Sequence, residues 1–436
     1  MLALLMAVAF AMGHSARTSA HEPGDPLEGY GPWETLESAD VRKPVGSPWF
    51  ARQLTATSDV EITYIDVPPS MRVPIDFAVA IWETQITTPV KIRAQVSWEA
   101  LPPGALAQTR VLWHVQDPVD DPKLPLPGIR YPAALAHTIR GSRSHELPDM
   151  QIRVNSAQSD WYEGVDGTLS ENQYDVVSVI LHEVAHGLGL ASGVDGSKTL
   201  PVTMPTVYDT FIQQRNGARI YLQSPPQLAA SLLSGELLFA GTTTIVAAGG
   251  SAPRLYAPPL WSQSSSLSHL HDWYVDTDPD ALFAPVLPSG WAIHEPPPIT
   301  LAMLKDIGWT ISRIGQPTRL RIVTPMPSLV QVASASVSLR IEVQDPVGAF
   351  VASAPSVEVT VEAFGEAVSG IEQWECTGPQ QRPTNSARVV YEACHFDWMG
   401  TGFVVASAPG LMQGITRIFR IADVSAGRAP AIARGP

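Results

Sequence analysis

The sequence predicts an α+β protein in two folded parts, a mixed α/β domain over residues 48–312 and a β-sandwich over 318–424. Three observations carry this expectation. Before residue 310, segments that alternate with period two are interleaved with segments of helical period. After Thr318 only short β-rich runs remain (LRIVTP, SVSLRIEV, SVEVTVEAF, ARVVYEACHF, GFVVASA), separated by Pro, Gly, Ser and Ala clusters. Finally, 436 residues are long for one domain and comfortable for two of roughly 100–200 residues each.

Residues 1–20 read as an export signal, because Met1–Met12 form an apolar run followed by small residues, with Ala20 as a cleavage edge. No basic segment precedes the run. It is shorter than the roughly 20 apolar residues a bilayer span needs, and no later stretch qualifies, so no membrane span is expected. Residues 21–47 are rich in Pro, Gly and acidic residues without apolar period, and read as a linker or propeptide remnant. Val60–Val67 alternates like a strand, and Pro74 stands where the first turn of a helix tolerates it, ahead of Phe77, Ala78, Ile81 and Trp82. Val90–Trp98, Arg110–Gln116 and Gln151–Asn155 are further strands, with a turn-dense loop at Asp117–Gly128. Ile311–Pro317 joins the two parts, and residues 425–436 read as a flexible tail.

Composition narrows the partners. With 45% apolar and 16% charged residues the chain can build a core and lacks the signature of disorder. A balance of 28 basic against 42 acidic residues, with no Lys/Arg stripe, argues against nucleic acid. Cys376 and Cys394 are spaced for a disulfide in an exported protein, since a two-cysteine metal or redox site would want C-x-x-C spacing.

The chemistry concentrates in Tyr174–Ser192, YDVVSVILHEVAHGLGLAS. Val177, Ile180, Leu181, Val184 and Leu188 recur at spacings of three and four, so one helical face is apolar. Ser170 with Gln173 matches a capping box, and Gly187 and Gly189 let the chain leave the helix. His182 and His186 lie one turn apart, so their imidazoles project from one face and can share a Zn2+ ion at about 2.0–2.1 Å. Glu183, beside the first ligand, is placed as a general base for water.

A catalytic zinc wants three protein ligands and one open position. Ser192 stands where an H-E-x-x-H-x-x-G-x-x-H protein carries its third His, and a serine hydroxyl is a poor ligand. Downstream donors are His269 in SSSLSHLHDWY, with His271 behind it, and Glu236; taken alone, His269 also reads as a surface residue and Glu236 as part of a solvated turn. Asp195, Asp209, Asp276, Asp278 and Asp280 lack the glycine and terminal glutamate of a calcium loop and read as solvated loop or cap residues. No Gly-x-Ser-x-Gly elbow or phosphate loop is present.

From about Pro48 to Trp309 the chain resembles exported bacterial metallopeptidase-like proteins related to the leishmanolysin branch of the metzincins. The resemblance rests on DWYEGVDG (Asp160–Gly167), the helix motif, MPTVYDTFI (Met204–Ile212), SLSHL followed by DALFAP, and ITLAMLKDIGW ending at Trp309. It implies a mixed sheet and an active-site helix behind an extended cleft in which a peptide adds as a strand. It also implies a third histidine several tens of residues past the helix, hence His269. Leu282–Pro285 would then form an apolar floor under the metal, with Phe283 where the family has methionine; Leu190 stands where phenylalanine is common. The implied activity is that of a secreted or periplasmic zinc endopeptidase acting on a protein or peptide substrate. The competing expectation is a non-catalytic secreted adhesion or binding protein that keeps the fold. The β-rich part lies outside the resemblance, and its role as an accessory module is analogy alone.

Overall fold

The computed structural model describes residues 34–39, 55–115, 123–199, 201–271, 281–324, 326, 329–331, 336–369, 374–416 and 419–422. The export signal, most of the linker, the acidic run at 276–280 and the tail lie outside them. The fold is mixed α and β, with a curled β half-barrel in the C-terminal part.

The first part is built on β1 (Glu34–Ala39), β2 (Val60–Ile65), β3 (Ile92–Glu99), β4 (Ala105–Val111), β5 (Met150–Asn155) and β6 (Val286–Pro288). Their order in the sheet is β6-β1-β4-β5-β3-β2. The β2–β3, β3–β5 and β1–β6 pairs run parallel, whereas β4 runs antiparallel to both β5 and β1. Two expectations are corrected here. Residues 21–47 are not all linker, because Glu34–Ala39 is a strand of this sheet; backbone pairing needs no apolar side chains, so no pattern announced it. The strand expected at Arg110–Gln116 lies earlier, at β4, following the turn with Gly104 at φ 88°.

Among the described residues the sheet is accompanied by α-helices α1 (Pro69–Gln85), α2 (Ala133–Arg140), α3 (Val176–Gly187), α4 (Pro225–Leu232), α5 (Thr242–Ala247) and α6 (Pro298–Ile307). Helix α1 begins at Pro69, so Pro74 sits inside it rather than in its first turn. Pro69 supplies the preset φ of a helix start, and the earlier start adds the buried Met71 to the core. Helix α3 is buried on every side and not on one face as expected. It lies between α1 and the sheet, and the Trp82 indole N–H donates to the Leu181 carbonyl at 3.1 Å. Burying Val177, Ile180, Leu181 and Val184 stabilises it by roughly 1.5–3 kcal/mol each. Gly187 permits the close approach to β5, since a Cβ there would meet Met150 Sδ at 2.2 Å.

The second part differs from the expected β-sandwich. Its strands are β7 (Arg319–Ile322), β8 (Leu329–Gln331), β9 (Val337–Gln344), β10 (Glu358–Ser369), β11 (Trp374–Glu375), β12 (Gln381–Pro383), β13 (Arg388–Phe396), β14 (Met399–Ala408), β15 (Leu411–Ile415) and β16 (Phe419–Ala422). They form one continuous sheet, β8-β16-β14-β15-β7-β9-β13-β11, with β10 paired to β14 and β12. The parallel β7–β15 pairing links what would otherwise be two separate sheets. The sheet therefore curls round a single core that includes Leu339, Ile341, Tyr391, Phe396, Trp398 and Phe419. Cys376 and Cys394 are disulfide-bonded, as expected. Among the described residues no helix is long and apolar enough to cross a membrane.

A buried ionic network fixes the turn between α2 and β5. Asp149 accepts from His137 Nδ1 (3.1 Å), Arg143 Nη1 (2.6 Å) and the Arg93 N–H (2.9 Å). Burial alone would raise its pKa, but the hydrogen bonds from His137, Arg143 and Arg93 outweigh it and hold the carboxyl below its usual range. A carboxylate depressed in the folded state adds stability that is fully present above its unfolded pKa and is lost as pH falls through the folded one. Asp149→Asn should therefore destabilise the protein by roughly 3 kcal/mol near neutral pH. Thermal melts from pH 7 to pH 3 should show the gap between the two proteins closing as the medium acidifies; a gap independent of pH would contradict the assignment.

Candidate metal centre

Helix α3 starts at Asp175, whose Oδ2 accepts from the backbone N–H (2.7 Å) and hydroxyl (2.6 Å) of Ser178. Ser170 and Gln173 do hydrogen-bond to each other, but in the turn before the helix, so the expected capping box does not cap it. The difference arises because Asp175 is held from outside the helix as well, by His294 Nε2 at 2.9 Å. After the helix, Gly189 turns the chain at φ 114°, where a Cβ would strike Pro132 at 2.5 Å.

The structure brings His182, His186 and His269 together. Their Nε2 atoms lie 2.9 Å (182–186), 3.2 Å (182–269) and 3.1 Å (186–269) apart, and each residue is at most 1% exposed. The other nitrogen of each ring is occupied. Nδ1–H donates to the carbonyl of Leu282 in His182 (2.6 Å), of Leu190 in His186 (2.8 Å) and of Ser265 in His269 (2.9 Å). Those bonds select the tautomer with a bare Nε2, so three lone pairs point at one another.

Protons do not relieve that crowding. Burial, with the neighbouring His269, pushes the His182 imidazole down to about 3, and burial pushes His269 down to about 4. Burial and the other two rings hold His186 well below its ordinary value. The rings are therefore neutral at physiological pH, the form in which imidazole binds metals. Their spacing is near the roughly 3.3 Å ligand–ligand edge of a tetrahedral site with 2.0–2.1 Å bonds. Donor type, protonation and spacing all fit one divalent cation, and this trio is the group among the described residues able to hold one.

Glu183 is fully buried, and neither carboxylate oxygen has a hydrogen-bond partner. Burial pushes its pKa up to about 8. The hydroxyl of Thr109, on β4, is near enough to draw it down, yet that hydroxyl completes no hydrogen bond either. Phe283 lies under the cluster, its ring centroid 5.4, 4.9 and 5.7 Å from those of His182, His186 and His269.

The third histidine is held by several long-range contacts. The His269 carbonyl accepts from Tyr256 N–H (2.9 Å), and the next residue, Leu270, donates to the Phe283 carbonyl (2.8 Å). The Tyr208 hydroxyl donates to the Leu267 carbonyl (2.8 Å), and the Ser192 N–H to Ser268 Oγ (3.0 Å). Ser192 is thus a brace for the loop that carries the ligand. Its own hydroxyl donates to Asp209 (2.6 Å).

Asp209 corrects another expectation: it is fully buried, and accepts also from the Gly193 and Thr206 N–H groups, both at 2.8 Å. Asp195 behaves as the surface loop residue expected, bonding Ser197 and Lys198, and Asp276, Asp278 and Asp280 lie outside the described residues. Glu236 is outside the cluster, paired with Arg215 and with Arg254 (3.8 Å), and His271 is half-buried beside the Arg254 carbonyl. Thr109, Tyr208 and Asp209 are site residues that pattern reading did not assign. MPTVYDTFI drew notice only through its resemblance.

No protein-family model matches the chain, and no curated protein matches it. Among solved structures, the chain is similar to a β-glycosidase from Bacteroides vulgatus at 14% identity, over 26% of this chain and 15% of that one, with a TM-score of 0.20. That likeness is too slight to carry an argument about fold or chemistry.

Two substitutions separate ligand from support. His269→Ala should reduce bound divalent metal from near one ion per chain to near none, measured by elemental analysis after exhaustive desalting. Phe283→Ala should keep the stoichiometry but weaken affinity on the order of tenfold in chelator competition, because the rings lose the floor that orients them.

Proposed function

We propose that the chain is a secreted zinc-dependent endopeptidase with a metzincin-like catalytic domain, using His182, His186 and His269 as ligands and Glu183 as general base. The observation that carries this reading is the conjunction of three bare imidazole nitrogens with an adjacent buried carboxylate that has no hydrogen-bond partner. Buried carboxylates kept for stability are normally satisfied, and one that is not points to chemistry. Three neutral imidazoles are a donor set that would suit zinc. The motif resemblance between Asp160 and Trp309 supports a peptide bond over other amides as substrate. The disulfide is in keeping with an oxidising compartment.

A zinc ion held by His182, His186 and His269 would supply Lewis acidity, favouring deprotonation of a water and polarising a substrate carbonyl. Glu183 takes the proton from the attacking water and passes it to the leaving nitrogen as the C–N bond breaks, giving one carboxylic acid and one amine. A carboxyl held up to about 8 by burial is basic enough for this transfer, and a neighbouring divalent cation favours its ionised form. The Nδ1–H bonds from the ligand rings to backbone carbonyls keep the rings aligned and strengthen them as donors.

Glu183→Gln should retain stoichiometric zinc while lowering kcat on a peptide library on the order of a thousandfold. Elemental analysis and library digestion on the same preparations check both halves. Turnover undiminished in this variant would sink the mechanism. Full zinc content with no cleavage by either protein would favour the second reading, a binding protein that keeps the fold, to which the replacement of the turn methionine by Phe283 also lends support.

A further inference from the structure

The ionic network between α2 and β5 contains a second constellation of reactive groups. His137 lies in the last turn of α2 and is fully buried. Its Nδ1–H donates to Asp149 (3.1 Å), a tautomer that leaves Nε2 bare, and Nε2 lies 3.0 Å from the hydroxyl of Ser144. A bare ring nitrogen can only accept, so the hydroxyl is the donor. Ser144, His137 and Asp149 thus form a hydrogen-bonded chain in the order nucleophile, base and orienting carboxylate.

The surroundings suit each role. Ser144 is exposed, so a substrate can reach it, whereas His137 and Asp149 are buried and fixed. Against the effect of burial, hydrogen bonds from His137, Arg143 and the Arg93 N–H hold the Asp149 carboxyl below its usual range, which keeps it the anion that orients the ring. The loop is held in place from both ends. The Gly141 and Ser142 N–H groups both donate to the His137 carbonyl (2.9 and 3.2 Å), and Arg143 donates to the carbonyls of His145 (3.3 Å) and Leu147 (2.8 Å) as well as to Asp149. His145 packs beside His137, its ring centroid 5.1 Å away, and its Nδ1 is buried without a hydrogen-bond partner. A polar atom left unsatisfied in burial points to chemistry rather than stability. Among the described residues, no backbone carbonyl accepts from the N–H of Ser144, His145 or Glu146, which leaves these donors for negative charge developing on a carbonyl oxygen.

We propose that Ser144, His137 and Asp149 form a second hydrolytic site, independent of the metal centre, that acts on short acyl esters. Ser144 Oγ attacks the ester carbonyl carbon as its proton passes to His137 Nε2; the bond to the alcohol oxygen then breaks and the alcohol leaves with that proton. Water attacks the acyl-serine, its proton passes through Nε2 to Oγ, and a carboxylic acid is released. The exposed Leu147 and the Trp113 ring, 5.0 Å from that of His145, offer apolar surface to a small acyl group. The bonds that stabilise the turn are the same ones that align the base.

The test uses the full chain carrying Glu183→Gln, with a chelator present, so that the metal centre contributes no hydrolysis. A fluorophosphonate, which loses fluoride as its phosphorus bonds to a serine oxygen, should label one residue per chain, located at Ser144 by peptide mass spectrometry. The exposed Ser142, two residues away, is the internal control for simple accessibility. Hydrolysis of 4-nitrophenyl acetate should fall about a hundredfold in Ser144→Ala and in His137→Gln. Absence of label, or labelling of Ser142 and Ser144 at equal rates, overturns the proposal and makes the network a stabilising one alone. Should His137→Gln not fold, the Ser144 to Ser142 labelling ratio and the surface variant Ser144→Ala decide between the same outcomes. Loss of the peptidase reading would leave each of these results unchanged.

Discussion

Three imidazole nitrogens converging in a buried interior are the constraint around which the first part of this protein is arranged. Each ring is anchored by Nδ1–H to a backbone carbonyl, so rotation cannot move the bare Nε2 atoms apart. Burial keeps all three neutral, which prevents protons from bridging them. Only a cation converts that mutual repulsion into attraction, and its binding would couple helix α3 to a loop more than 80 residues further on. Phe283 closes the arrangement from below with an apolar face that offers no competing donor.

Buried carboxylates elsewhere in the domain show what the same chemistry looks like when it serves stability. Taking a carboxylate out of water costs several kcal/mol, repaid only by good hydrogen bonds. Asp149 has an arginine, a histidine and a backbone N–H; Asp209 has a serine hydroxyl and two backbone N–H groups; Asp175 caps α3 and meets His294. Glu183 has none of these, although it is equally buried. It stands instead beside the histidine cluster, which is in keeping with the general-base role proposed for it.

The supporting structure relates the two halves of the site through the sheet. Helix α3 is pressed against β5 closely enough to require glycine at 187, which sets its depth. The turn before β6 and the loop around His269 are then tied together by the Leu270–Phe283 hydrogen bond. Ser192 and Tyr208 fasten the same loop as well, so that the third histidine is positioned by contacts from four separate stretches of chain. With β1 paired between β4 and β6, the sheet continues unbroken alongside the site.

The sequence by itself determined what depends on near neighbours. Residues four apart on a helix share a face whatever the surroundings, so His182, His186 and the adjacent Glu183 were legible from spacing alone. The β character of the second part was likewise written in local alternation, and the cysteine pair in its spacing and number. Tertiary structure alone decided the rest. His269, Asp209 and Ser192 acquired their roles from contacts across 16 to 87 residues, which no periodic signal encodes. The true cap of α3 was Asp175 rather than the Ser170–Gln173 pair because His294, far along the chain, holds it there. Strand β1 was invisible because its place is set by backbone hydrogen bonds, which every sequence carries alike, and the half-barrel replaced a sandwich because one parallel pairing joins its sheets. Local geometry follows from covalent structure and survives in the sequence; long-range pairing is settled only by the packing of the whole chain.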